Sequence, residues 1–257
     1  MIALVAALQC ELFHLIESLK LQKVTTHPFT IYANETYVAL ISGVGGIASA
    51  TSVGFLANRF KNIQSWLNIG IAGHRDIPVS EMIHPPTLCH SGFSTKHFPT
   101  RFAPFTQLRS IPIQTVDTPL AIYPHEMAVE MESYYFFTAA RKFAPSDLIQ
   151  ICKVISDNTL VEATALTKKR VLELFEPHTP FLLEAIEVLH THMQDMHPHP
   201  PLFEICASKY HFSTTQLHEL KHLLFLHNDL TIEMLDDIDS GASLLTFLKQ
   251  RYTPLPL

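Results

Sequence analysis

The chain opens with MIALVAALQCE, Met1 to Glu11. Ile2 to Leu8 is a continuous apolar run without a basic flank. It is too short to cross a bilayer and it passes directly into a helical pattern, so it reads as a first strand feeding a helix and not as a signal peptide. The same alternation recurs downstream. Strands are expected at Tyr37–Ile41, Ser65–Ile71 and Leu148–Ile155, and helices at Glu11–Leu19, Ile47–Phe60 and Met127–Phe143, the last ending before Pro145. Short apolar runs alternating with helices are the pattern of strands covered on both faces. The expected fold class is therefore α/β with a mostly parallel or mixed sheet. Prolines punctuate Pro78 to Pro124, where edge strands and loops are expected.

Composition narrows the function classes. With 257 residues the chain buries a sizeable core without help from disulfides or metals. Its four cysteines, Cys10, Cys89, Cys152 and Cys206, form no CxxC pair, which fits a reducing, cytoplasmic setting. A net charge of −6 and the absence of a basic block argue against nucleic acid as a partner. No segment suggests a membrane span, and no cofactor motif is present.

The polar and glycine punctuation falls at the ends of the expected strands. Gln9-Cys10-Glu11 follows the first, Ser42-Gly43-Val44-Gly45-Gly46 the second, Gly70-Ile71-Ala72-Gly73 the third and Ser156-Asp157-Asn158 the last. In an open sheet of parallel strands these four lie along one rim, the carboxyl ends where such folds bind ligands, which brings Glu11 near Asp157. A second signal is AVEMESYYFF, Ala128 to Phe137, where two glutamates head an otherwise apolar segment. Carboxylates are rarely buried without partners. Each piece alone has an ordinary explanation: a packing glycine, a carboxylate facing a helix dipole, a helix cap. Their joint placement points to a site.

Taken together, IALVAALQCE, VALISGVGGIASA, WLNIGIAGH, AVEMES and VISDN, in this order, resemble the nucleoside phosphorylase superfamily. Within it the chain is similar to the methylthioadenosine/S-adenosylhomocysteine nucleosidases and the futalosine hydrolases, from Met1 to the helices near His192. The resemblance implies a three-layer α/β/α sandwich around a mixed sheet; the chain beyond about His197 lies outside it and reads, from its own periodicity, as a helical C-terminal extension. It implies that Glu132 holds the vicinal hydroxyls of a ribose, with Met131 packed on the sugar. An ionised carboxylate, having two acceptor oxygens and no donor, suits a cis-diol. The resemblance further implies that Asp157 protonates the departing purine as general acid and that Glu11 orients the attacking water. Ser42, Gly43, Ile71 and Lys153 join Met131 and Glu132 as the implied substrate-binding residues. The substrate is then a small nucleoside, the reaction hydrolysis of its N-glycosidic bond, and the assembly a homo-oligomer, most simply a dimer.

Three departures from the family pattern stand out. Ile71 replaces a serine of the methylthioadenosine nucleosidases, though GIAG is similar to the futalosine hydrolases. Lys153 replaces an arginine, keeping the charge without the guanidinium fork. The stretch from Asp117 to Glu130 is short where the family supplies an aromatic for the base; Tyr123 and Phe93 are the aromatics available to replace it. Two other readings stay open: a phosphate-dependent nucleoside phosphorylase, and a degenerate nucleoside-binding member acting through protein contacts. Against the phosphorylase, no arginine precedes Arg59, whereas those enzymes carry a GDPxR-like loop after the first strand.

The division of the chain is expected near residue 192, with 1–192 as the α/β domain and 193–257 as a proline-rich connector, HPHPPL, and a small helical appendage. ICASKYHFSTTQLHELKHLL has a helix-turn-helix cadence with Ser213 or Thr214 as the cap. From Met193 onward, however, four Lys and Arg residues face eight Asp and Glu, the wrong balance for a phosphate backbone. His218 and His222 sit at helical i, i+4 spacing in HELKH, which matches HExxH, but surface or helix-cap histidines are the expectation here and no metal is expected.

Overall fold

The structure, a computed structural model, describes residues 1–101, 103–120, 122–163, 166–196, 202–226, 230–235 and 238–251. The chain divides into two compact units, Met1–Met193 and Gln194–Leu257.

The first unit is a mixed sheet with helices around it. In chain order its elements are β1 (Ile2–Ala6), α1 (Gln9–Ser18), β2 (Gln22–Thr25), β3 (Thr30–Ala33), β4 (Tyr37–Ile41), α2 (Gly46–Arg59), β5 (Ser65–Gly73), β6 (Met82–His84), β7 (Leu88–His90), β8 (Phe93–His97), β9 (Arg109–Ser110), β10 (Ile113–Thr115), β11 (Ala128–Glu130), α3 (Ser133–Ala140), β12 (Ile149–Asp157), α4 (Lys168–Phe175) and α5 (Thr179–Met196). The strands run β2-β3-β4-β1-β5-β11-β10-β7-β8, and β12 pairs with β5 and β6. β4, β1, β5 and β12 are mutually parallel, with Ala3 opposite Val38 and Trp66, and Trp66 opposite Ile149. Their carboxyl ends therefore share one edge, as the punctuation of the sequence implied.

Every residue of β1 and β12 is buried, as expected of central strands covered on both faces. Alternation along the strands separates two apolar layers. Ala3, Val5, Trp66, Ile149 and Ile151 pack with Val53 and Leu56 of α2 and Phe136 and Phe137 of α3. Residues of the opposite parity, such as Ile2 and Leu4, are equally buried, and α1 and α4, packed on each other, bury Leu12, Leu15, Val171 and Leu174.

One expected element is corrected. Met127–Phe143 is not a single helix: Ala128–Glu130 forms β11, parallel to β10 and paired with Gly73 of β5, and α3 begins only at Ser133. The Glu130 side chain explains the break, because its Oε2 accepts from the backbone N–H groups of Glu132 (3.0 Å) and Ser133 (2.8 Å). Those groups are left unpaired at a helix start, and a carboxylate from just outside the helix satisfies them. The region from Pro78 to Pro124 contains the short strands β6 to β10.

The second unit contains α6 (Phe203–Lys209), α7 (Thr214–Leu226) and α8 (Gly241–Arg251) around a core of its own that includes Leu202, Leu220, Leu224, Leu244 and Leu248. Ser213 caps α7 in a reciprocal box: its Oγ accepts from Gln216 N–H (3.3 Å), and Gln216 Oε1 accepts from Ser213 N–H (2.9 Å). Residues 197–201 of the expected connector lie outside the described residues, as do the side chains of His218 and His222. Among the described residues no group of three or more His, Cys, Asp or Glu is arranged to hold a metal ion, and no helix is long and apolar enough to cross a membrane.

Candidate active site

The rim of the sheet holds a cavity of about 200 Å³. Glu11, Glu130, Met131, Glu132 and Asp157 all line it, together with Ile71, Tyr123 and an apolar wall that includes Leu8, Val44 and Val116. Each carboxylate arrives from a different element, so the site exists only in the folded sheet.

Glu11 lies in the first turn of α1 and is buried. Both oxygens accept from the main chain, Oε2 from Leu8 N–H at 2.7 Å and Oε1 from Ile71 N–H at 3.1 Å. The Ile71 contact is made by backbone, so an apolar side chain at 71 leaves it intact. Burial pushes the Glu11 carboxyl up to about 7, against the opposing pull of the Lys153 ammonium.

Glu132 precedes α3 and accepts from Gly45 N–H through Oε1 at 2.7 Å. Gly45 adopts φ 101°, a conformation that favours glycine, and this aims its N–H across at the carboxylate. Burial, reinforced by the neighbouring Glu130 charge, raises the Glu132 carboxyl above its usual range.

Asp157 ends β12 at a bulge. The register runs Ile155 to Ala72 and then Asp157 to Gly73, which makes Ser156 the extra residue and brings both Ser156 and Asp157 to the cavity. Asp157 Oδ1 accepts from Ser156 Oγ at 2.5 Å, and Oδ2 accepts from the Tyr123 hydroxyl.

Behind these groups lies a buried ion pair. Lys153 Nζ stands 3.0 Å from Glu130 Oε2, and both side chains are almost wholly inaccessible. Glu130 also accepts from Thr115 Oγ1 at 2.5 Å and Ser133 Oγ at 2.7 Å. Burial alone would raise the Glu130 carboxyl, but the Lys153 charge and these hydroxyls outweigh it and hold it low. Burial would likewise lower Lys153, but Glu130, Glu132 and Glu11 together hold its ammonium above the usual range. One cation thus faces three carboxyl groups.

Of the residues singled out in the sequence, Glu11, Ile71, Met131, Glu132 and Asp157 line the cavity. Lys153 does not; it sits behind the wall as partner of Glu130. Ser42 and Gly43 do not line it either. The Ser42 hydroxyl donates to the Ala6 and Gly43 carbonyls, while Val44 lines the cavity and Gly45 makes the polar contact. Phe93 stacks on His90 with centroids 4.4 Å apart and is absent from the lining, whereas Tyr123 is part of it. Thr115 escaped sequence reading because a lone hydroxyl in an apolar run carries no signal of its partner, and Ser156, though part of the punctuation, gave no sign of its contact with Asp157. A larger cavity of about 640 Å³ shares Ala7, Leu8 and Ile71 with the first but has no carboxylate in its lining.

No sequence-family model matches the chain, and no curated protein matches it. Solved structures do. The fold is similar to that of a methylthioadenosine/S-adenosylhomocysteine nucleosidase from Campylobacter jejuni (TM-score 0.59, 18% identity, 72% of this chain and 98% of that one). It is similar to futalosine hydrolase of Helicobacter pylori (0.61, 14%, 72% and 97%) and to a methylthioadenosine/S-adenosylhomocysteine nucleosidase of Streptococcus pneumoniae in complex with 8-aminoadenine (0.58, 22%, 71% and 96%). At these identities the likeness establishes the fold, which is the one the sequence resemblance implied.

Two outcomes follow from the charges. Glu130→Gln removes the negative charge directly paired with a buried ammonium and should destabilise the protein by about 3–5 kcal/mol in denaturant titrations. Adding Lys153→Met should recover part of that loss, making the pair strongly non-additive. The Glu11 carboxyl, raised from 4.5 to about 7, binds its proton more tightly in the folded state. Its contribution to stability is full below pH 4.5 and is lost as pH rises through about 7. Glu11→Gln should therefore flatten the fall in unfolding free energy across that window.

Proposed function

We propose that this protein hydrolyses the N-glycosidic bond of a purine-type nucleoside. The observation that supports it most is the convergence of Glu11, Glu132 and Asp157 on one cavity, on the fold that nucleosidases and futalosine hydrolase share. In this reading Glu132 accepts both ribose hydroxyls, Met131 packs against the sugar, and Asp157 faces the base. The bond from C1′ to the base breaks with its electron pair going to the base, which takes a proton from Asp157. Water adds to C1′ as hydroxide, and its proton passes to Glu11. The sum is nucleoside plus water giving free base and ribose, with the second proton returned from Glu11 to Asp157 through solvent.

Glu11, whose carboxyl burial pushes up to about 7, is placed to take up the proton released by water near neutrality. Lys153 holds the carboxylates in place by charge without touching the ligand, and Ser42 and Gly43 act through the turn that presents Gly45. The four cysteines are free thiols, in keeping with a cytoplasmic setting. For the assembly we propose a homodimer. Val44 and Ile47 at the start of α2, with Phe93 and Ile122, are large apolar side chains at least half exposed. A closed two-fold pairing is the commonest way to cover such residues.

Assay of the purified protein against purine nucleosides, with and without phosphate, should release free base in both cases; phosphate-stimulated formation of ribose 1-phosphate would replace hydrolysis with phosphorolysis. Glu11→Gln and Asp157→Asn should each lower turnover by about 10²–10⁴-fold with the fold intact. A nitrophenyl riboside, whose leaving group needs no proton, should partly rescue Asp157→Asn and not Glu11→Gln. If both amide variants turn over like the wild type, the rim carboxylates are not catalytic. Light scattering should report a dimer over a wide concentration range, and a monomer throughout would refute the assembly.

A further inference from the structure

Asp157 has two oxygens, and the structure supplies a donor to each. Ser156 Oγ serves Oδ1 from the adjacent bulge position, buried inside β12, so this donor is fixed by the strand itself. The Tyr123 hydroxyl serves Oδ2 and has a different origin. It comes from the segment between β10 and β11, outside any strand or helix, and its ring is only half-buried. That segment is tied beside its start by Asp117, whose Oδ1 accepts from Tyr135 at 3.1 Å, and near its end by His125, whose Nε2 lies 3.5 Å from Asp76 Oδ2. Between these ties Tyr123 reaches into the corner formed by Gly73 and Asp157. A Cβ on Gly73 would collide with the phenol ring and lie 2.8 Å from Asp157 Oδ2, so this close approach requires glycine.

In the nucleosidase reading the leaving base meets Asp157, so the phenol holds an oxygen that the base also needs. Oδ1 is already held by the rigid donor, so a ring nitrogen sharing a proton with Asp157 has Oδ2 as its seat. Burial raises the Tyr123 hydroxyl well above its usual range, reinforced by its hydrogen bond to Asp157 and that residue's charge, so it stays a donor at working pH. Building on the nucleosidase reading, we propose that Tyr123 and the leaving base contest one oxygen of Asp157, so that the phenol turns aside for a purine ring nitrogen and Tyr123 sets the affinity for substrates that carry one. Tyr123 is then a specificity-determining residue: a base that cannot take Oδ2 gains nothing for displacing the phenol.

Tyr123→Phe tests this, because it keeps the ring and deletes only the competing donor. The expected result is a KM for purine nucleosides lowered about ten-fold, the scale of one hydrogen bond to a charged group, with the effect falling on KM and not on kcat. A 7-deazapurine nucleoside, with carbon in place of the ring nitrogen, should bind wild type and variant alike in calorimetry. A purine KM that does not fall, or a fall in kcat at constant KM, overturns the proposal; the latter would make Tyr123 a fixed partner of Asp157. Cleavage by the wild type with an unmoved KM in the variant defeats this proposal alone. A wild type that neither binds nor cleaves any purine nucleoside defeats the nucleosidase reading and this proposal with it.

Discussion

One ammonium group, Lys153 Nζ, holds together a site that would otherwise repel itself. Glu11, Glu130 and Glu132 are all buried on the same rim, and three carboxylates in a low-dielectric pocket are tolerable only with a counter-charge among them. Lys153 reaches that position because β12 lies between β5 and β6, at the centre of the sheet, where its side chain is wholly enclosed. Glu130 takes the direct contact and uses its remaining acceptor capacity on Thr115, Ser133 and the start of α3. The same carboxylate therefore neutralises a lysine, ends a strand and starts a helix. Glu132, two residues later, is aimed by that turn.

The scaffold supplies most of the remaining precision through its main chain. Leu8 and Ile71 hold Glu11 through backbone N–H groups, and Gly45 does the same for Glu132. Backbone donors at the ends of parallel strands are fixed by the sheet, which is why ligand sites gather at that edge. They are also indifferent to side-chain identity. Ile71 thus departs from the nucleosidase pattern without disturbing the orientation of Glu11. Lys153 departs from it as well, yet a point charge suffices where the task is to balance carboxylates and not to grip one in a planar fork.

How far the sequence could be read follows from the range of each interaction. β1, β4, α1 and α2 were legible because a continuous apolar run or a helical period is a local property. Glu11 and Asp157 were legible as neighbours because the ends of parallel strands share an edge. The start of α3 was not, since Ala128 to Glu130 continues an apolar pattern that suits a helix, and only the pairing of β11 with β10 and β5 makes it a strand. Lys153 was expected at the ligand because it stands where the resembled family has an arginine; its partner Glu130 is distant in the chain, and nothing local reveals the pairing. In the glycine-rich turn the punctuation was clear but the working donor was not, because which N–H crosses to Glu132 depends on the φ of Gly45. Tyr123 stands in a proline-broken segment without periodicity, so only the fold could choose between it and Phe93.

The charge arrangement also sets chemistry against stability at the same residue. In the proposed reaction Glu11 must be ionised to take a proton from water, and burial has moved that ionisation to about pH 7. Above that pH the folded protein carries an additional buried negative charge shared over a single lysine; below it the protein is more stable and the group is protonated. A better-solvated Glu11 would relieve the conflict but would no longer be a base poised near neutrality. A second cation beside Lys153 would also relieve it, by drawing the carboxyl down and making it a weaker proton acceptor. One lysine among three carboxyl groups leaves charge uncompensated at the rim, a local cost in stability. The cost is met elsewhere in the first unit, by central strands buried on both faces and by two apolar layers that need nothing from the rim.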